Sequence, residues 1–345
     1  MKRVFLKLTI TVVMILSLCG CVRIVGSPGG GGAGIEVTSP QWYQVRQQKK
    51  DRQNMASAFR EENLQFTCVN EADNHPPLDL EADGWFKQAR VLEKATGPKD
   101  YEAIGTLYRK AIARDHYKAM RNLQNLLMDG LVEPLPGKTA PEEAVGIVER
   151  MIKLNIPAGY YAMGYYLEMG YGVEQDRSAS IAYFRKSADL GSPEGQYKIG
   201  QIFLSQLLPE LGDNPAYRPD IGKKMLDCSV KQGFGESGYQ LALHFYIVDK
   251  DYPSAVKYFQ LAVRNGSLLS ARQLKSSFNA PLITDKTNYL ALEKDPERVR
   301  RYELIQKELR YHPEARFPDI DKIVPLPPAE LPAWDGTFEY KKAQQ

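Results

Sequence analysis

Gly159-Tyr160-Tyr161-Ala162-Met163-Gly164, then Gly170-Tyr171-Gly172-Val173, Asp176, Tyr183-Phe184-Arg185-Lys186-Ser187-Ala188 and Gly191, is the stretch whose reading decides the fold. Gly159 opens a helical pattern. Met163 and Leu167 fall four and eight residues later on the same face, with the small Gly164 beside them. A glycine-containing loop follows, and a second helical stretch carrying Tyr183-Phe184 runs to a turn at Gly191. Small residues at such positions let paired helices approach, while the larger ones fill the shared core.

Outward from this unit, the pattern recurs. The opening position is Ala119, Gly159, Gly195, Ser237 and Ser270, at spacings of 40, 36, 42 and 33 residues. Position +4 is Leu123, Met163, Ile199, Leu241 and Leu274, and position +8 is Leu127, Leu167, Phe203, Phe245 and Phe278. Position +5 is small in the middle units (Gly164, Gly200, Ala242) and polar at the ends (Gln124, Lys275). The turns closing the second helices, Asp115, Asn155, Gly191, Gly233 and Gly266, keep the same four spacings. The helices before them repeat an apolar pair: Leu107-Tyr108, Ile147-Val148, Tyr183-Phe184, Met225-Leu226 and Tyr258-Phe259. Two signatures in one register predict an all-α fold, a right-handed α-solenoid of helix-turn-helix repeats.

These residues resemble the Sel-one-like repeat family, a relative of the tetratricopeptide repeats. The 159–191 unit matches the family pattern LG…G-x-GV…D…WY-x-KAA…G nearly throughout. The 192–233 unit carries an insertion through Pro209, Asn214, Pro215 and Pro219, and the 116–155 unit lacks the G-x-GV loop. The resemblance covers residues 100–280. It implies helical caps on either side, over 41–99 and 281–310, because terminal units must cover exposed core. Asp79 to Ala95 and Lys99 to Arg114 read as amphipathic helices, and Asp295-Pro296 starts a helix running to Arg310. Residues 311–345 hold six prolines and should run extended. Phe317, Ile320, Ile323, Val324, Leu326, Trp334 and Phe338 argue that this tail docks on the array.

The N-terminus reads as a sorting signal. Lys2, Arg3 and Lys7 precede an apolar run from Leu8 to Leu18 of secretory-signal length. Leu18-Cys19-Gly20-Cys21 resembles a bacterial lipobox, which implies cleavage of residues 1–20 and lipidation of Cys21; the other reading is an ordinary signal peptide with incidental cysteines. Residues 21–40, with Gly29 to Gly32, form a tether with few apolar side chains. A phosphate-binding loop is a poor alternative there, because no Gly-Lys-Ser/Thr follows and the sequence shows no strand before it. Val22 after the lipidated cysteine suggests, by resemblance to the usual sorting rule, the periplasmic face of the outer membrane. Cys68 and Cys228 then remain; in an oxidising compartment they could pair, and a buried free thiol at Cys228 is the alternative.

Composition narrows function by exclusion. The chain of 345 residues is 43% hydrophobic and 25% charged, which excludes disorder for its bulk. Its formal charge of +3 falls to zero once residues 1–20 are removed, leaving no footprint for nucleic acid. The four histidines, His75, His116, His244 and His312, are isolated, and no HExxH, paired CxxC or G-x-S-x-G occurs. His116-Tyr117-Lys118 begins like HxKxxxxD, but the aspartate position is Leu123. Glu142-Glu143 and Glu61-Glu62 are adjacent and read as solvated helix surface. No catalytic site, cofactor or metal is expected.

Recognition remains. At about 100° per residue, positions 0, +4, +5 and +8 centre near 65°, and +2, +6 and +9 near 200°, away from the core. The second set supplies a candidate concave partner-binding face: Arg121, Tyr161, Tyr165, Glu168, Tyr197, Gln201, Tyr239, Tyr246 and Arg272. Tyrosines bracketed by arginines suit an interface; tyrosines at +2 packing on the next helix are the plainer alternative. Phe66-Thr67-Cys68-Val69-Asn70, Gly97-Pro98-Lys99-Asp100-Tyr101 and the Pro-rich end resemble flanks of Sel-one-like periplasmic lipoproteins encoded with type VI secretion lipase effectors. That resemblance implies a membrane-anchored immunity protein that binds and occludes a phospholipase effector, the alternative being a general envelope scaffold.

Overall fold

The computed structural model describes residues 22–25, 34–37, 64–208 and 212–342. After an extended stretch and a 3-10 turn at Glu71–Asn74 come helices α1 (Leu80–Lys94), α2 (Tyr101–Ala113), α3 (Tyr117–Met128), α4 (Ala140–Lys153), α5 (Pro157–Met169), α6 (Arg177–Asp189) and α7 (Pro193–Leu204). Then follow α8 (Pro219–Lys231), α9 (Gly235–His244), α10 (Tyr252–Arg264), α11 (Leu268–Ser277), α12 (Pro296–Tyr311), and short helices α13 (Ile320–Ile323) and α14 (Glu339–Lys342). Each long helix packs mainly on its neighbours in sequence, the contact pattern of a solenoid.

The repeat register has a backbone cause. Asp115, Asn155, Gly191, Gly233 and Gly266 all take the left-handed conformation, at φ 58°, 55°, 98°, 100° and 88°. Each reverses the chain between a second helix and the next first helix. The opening residues Ala119, Gly159, Gly195, Ser237 and Ser270 are all buried, as is every +4 residue. A Cβ on Gly159 would lie 2.5 Å from Met151 Cβ, and one on Gly164 would lie 2.7 Å from the Phe184 ring. Closely packed helix pairs therefore have room only for hydrogen at these two sites.

The core runs as three clusters along the array. Ile104, Tyr108, Leu123, Val148 and Tyr166 belong to the first, and Phe184, Ile199, Phe203 and Met225 to the second. The third joins Phe259, Leu274, Phe278 and Tyr302 to the tail residues Phe317, Ile320, Ile323, Val324 and Phe338. Buried Arg298 and Arg301 of α12 grip this tail. Arg298 donates to the carbonyls of Pro325 and Ala329, and Arg301 to those of Ile323 and Pro332.

Three features differ from the sequence reading. The 311–345 tail is not extended throughout, since it contains the short helices α13 and α14. Glu143 is 4% exposed instead of solvated, because Arg109, 34 residues away, pairs with it at 2.8 Å and the Leu135 N–H donates to it at 2.7 Å. Its neighbour Glu142 closes a capping box with Thr139 at the start of α4. In the 21–40 stretch, Val22–Val25 pairs antiparallel with Gly34–Val37, Ile24 opposite Ile35. The signal sequence, Cys21 and Glu61-Glu62 lie outside the described residues. Cys68 and Cys228 are disulfide-bonded, with Cα atoms 5.6 Å apart.

Candidate protein-binding groove

The ends of the first helices build a groove of about 1000 Å³ across three successive repeats. Gly170, at φ 72°, ends α5 and leaves Met169 at the helix tip, 61% exposed. In the next unit the insertion is tied down by Asn214, whose side-chain amide donates to the carbonyls of Ile202 and Ser205 and so caps the end of α7. In the third, α9 runs on into a π turn, Phe245–Asp249, closed by Lys250 at φ 56°. The wider turn places Ile247 and Val248 at the lip, 55% and 50% exposed. Ile181, Phe184, Ile202, Leu204 and Leu243 form the apolar floor.

Charge is held at the groove's edges. Glu168 pairs with Lys198 at 2.9 Å, and the Lys198 ammonium also lies 5.1 Å from the Phe184 ring centre. Asp249 pairs with Lys223 at 2.8 Å and faces His244 Nε2 at 3.6 Å. Burial holds the His244 pKa below its usual value. Among the described residues no cluster of three His, Cys, Asp or Glu side chains could hold a metal ion. The groove offers apolar contact and a few fixed charges, the chemistry of binding.

The residues anticipated from sequence are not all brought to the groove. Glu168 and Gln201 line the groove. Tyr161, Tyr197 and Tyr239 are half-buried and do not line it. Their rings lie 5.4 Å from Phe184, 5.2 Å from Phe234 and 6.0 Å from Phe259. Burial, with the charges of Glu194 and Glu168, pushes the Tyr161 hydroxyl up to about 12. Tyr165 and Arg272 are exposed.

Arg121 is turned to internal use, ion-paired with Glu194 and 3.9 Å from Glu71. Tyr246 is a correction: it is 6% exposed, and its hydroxyl donates to the Lys286 carbonyl at 2.6 Å. Tyr246 is the second residue of the π turn, whose wider winding departs from the α-helical spacing that placed it on the concave face. Sequence reasoning missed Met169, Ile181, Ile202, Ile247 and Val248. The groove follows positions +3, +6, +7 and +10 of the first helices, a stripe centred near 290° at about 100° per residue. Ile202 at +7 and Met169 and Ile247 at +10 were the available signal.

A tandem of helix pairs with left-handed inter-unit turns and close-packed small residues defines an α-solenoid of the Sel1-repeat class. The Sel1 repeat model matches residues 157–192 and 238–267, and a domain of unknown function (DUF6396) matches residues 270–345. That second match takes in α11, α12 and the clamped tail. Three solved structures from Pseudomonas aeruginosa are similar. Protein PA5086 is 30% identical over 76% of this chain and 95% of its own, with a TM-score of 0.60. Immunity protein PA5087 is 29% identical over 76% and 95%, at 0.61. Immunity protein PA5088 is 28% identical over 76% and 94%, at 0.62. The chain carries Sel1 repeats and belongs to the same family as PA5086. The repeat fold and these relatives are those of non-enzymatic, protein-binding scaffolds. No curated protein matches the chain. Among the described residues no helix is long and apolar enough to cross a membrane.

Proposed function

We propose that this protein is an immunity protein that binds a secreted phospholipase-type effector and occludes it. The observation that carries the reading is the likeness to immunity protein PA5087 over 95% of that chain. The apolar groove between α5 and α9 supplies the docking surface, with Tyr161 against its Phe184 and Tyr197 hydrogen-bonded to its Gln201. Occlusion requires no catalytic group in the inhibitor. The phospholipase target rests on the resemblance of the flanking segments to those of lipoproteins encoded with type VI secretion lipase effectors. The lipobox at Leu18 to Cys21 supports a lipid anchor on Cys21, and Val22 the outer membrane. An anchor would concentrate the inhibitor beside the bilayer that such a toxin attacks.

The test is to mix the unlipidated chain, residues 22–345, with the phospholipase-type effector of the same genome, titrating lipase activity and binding heat together. Stoichiometric loss of activity with tight one-to-one binding is expected. Absence of both would reject immunity toward that effector and favour a general envelope scaffold, which should hold several partners weakly.

A further inference from the structure

We propose that the Cys68–Cys228 bond is the latch of a redox-gated arm. Residues 64–76 lie across the array while the bond is intact; reduction releases them and uncovers the apolar face of α6 and α7 without unfolding the repeats. The latch stands on its own geometry and does not depend on the identity of any partner.

The arm is held chiefly by hydrogen bonds to its backbone, with ring-stacking and charged side-chain contacts confined to its C-terminal end, where His75 stacks on Tyr117 at 4.1 Å and Arg121 lies 3.9 Å from Glu71. Arg185 donates to the Gln65 carbonyl at 2.7 Å, and Gln196 to the Val69 carbonyl at 2.9 Å. The Glu71 N–H donates to Gln232 Oε1 at 2.8 Å, and Asn74 to the Leu190 carbonyl at 2.9 Å. A Cβ on Gly191 would lie 2.6 Å from the Asn70 carbonyl carbon, so the arm rests directly on that turn. Yet no residue from 64 to 79 is buried. Leu64 and Phe66 only lie against the cluster of Phe184, Ile199 and Phe203. Ordering an extended stretch costs backbone entropy at every residue, more than a net hydrogen bond returns. Without buried apolar side chains, the arm needs the covalent tie to stay down. The array does not need the arm, because all the buried members of the three core clusters come from residue 82 onward.

The two sulfurs are placed for exchange. Cys228 is 1% exposed on α8, whereas Cys68 is exposed. A dithiol reductant can therefore attack Cys68 Sγ, with Cys228 leaving as a thiolate that takes up a proton. The reductant's second thiol then displaces Cys68 and the reductant ends as a disulfide. Closure is the reverse: two electrons and two protons pass to a disulfide oxidant. A thiol-reducing compartment keeps the arm open, and an oxidising one shuts it.

The experiment compares the full chain oxidised, reduced with dithiothreitol and alkylated, and as Cys68→Ser, by amide hydrogen exchange and by Glu-C cleavage after Glu71. Reduction and Cys68→Ser should each speed exchange over residues 64–79 by about tenfold or more, with α4 to α10 still protected. Cleavage after Glu71 should accelerate in step. Unchanged protection of the arm in either open form would overturn the proposal, since the hydrogen bonds alone would then suffice. Loss of protection throughout α6 to α8 would overturn it too, making the bond a staple of the array.

Discussion

Gly159 and Gly146 sit in neighbouring helices and should respond to alanine in opposite directions. Alanine at 159 would drive its methyl against Met151 Cβ, while Gly146 has nothing within 4 Å of its would-be Cβ. We expect Gly159→Ala to lose about 1–3 kcal/mol through overpacking. Gly146→Ala should gain about 0.5–1 kcal/mol through helix propensity. Urea unfolding midpoints compare the two. His116 is a third test. Its Nδ1 accepts the Ala119 N–H at 3.1 Å as the α3 cap, so protonation there breaks the cap. Burial holds its pKa below the usual 6.5, outweighing the nearby Asp83. The neutral ring's contribution is therefore complete above pH 6.5 and declines as pH falls below that value. His116→Asn, which can cap without titrating, should flatten that part of the stability profile. At this scale the five turn residues were legible in the sequence, because position and residue type coincide. Glu143 was not legible, since its partner Arg109 comes near only through the fold.

At the scale of elements, α12 and the tail form one device. Glu297 holds Arg301, which donates to the Ile323 and Pro332 carbonyls and lies 5.6 Å from the Trp334 ring centre. Hydrogen bonds from Arg300 and Arg301 lower the Glu297 pKa from 4.5 to about 2. The stabilisation is thus fully present above pH 4.5 and is lost as pH falls toward 2. Trp334 fluorescence should report a loosening of the tail in that window, and Glu297→Gln should remove the acid dependence. Arg301→Ala, which strips two carbonyls of a charged donor, should cost about 3 kcal/mol. The helices flanking the array could be read from their caps: α1 begins behind Asp79 and α12 behind Asp295, each accepting an N–H of the first turn. The π turn after α9 could not, because nothing in Phe245-Tyr246-Ile247-Val248 departs from an ordinary amphipathic pattern.

Across the whole molecule, periodicity revealed the solenoid, while the groove runs along a different stripe of the first helices from the one read off the sequence. Single-helix angles locate the core face, whereas a groove depends on how three units stagger and where each first helix stops. Met169 and Val248 reach the lip only because α5 ends at Gly170 and α9 widens into its π turn. If the groove holds the partner, Met169→Asp with Val248→Asp should weaken binding by about a hundredfold while leaving the helical circular dichroism unchanged. Calorimetric titration reads the first effect; equal binding by the double variant would move the interface elsewhere.

The 160-residue span between Cys68 and Cys228 is also a mechanical bypass. A pull on the N-terminus passes through the bond straight into α8, so α1 to α7 hang off the load path as a slack, covalently closed loop. Stretched from its two ends, the oxidised chain carries load only before Cys68 and beyond Cys228. The first three repeats keep their shape under tension, and a single reduction event would bring them suddenly into line.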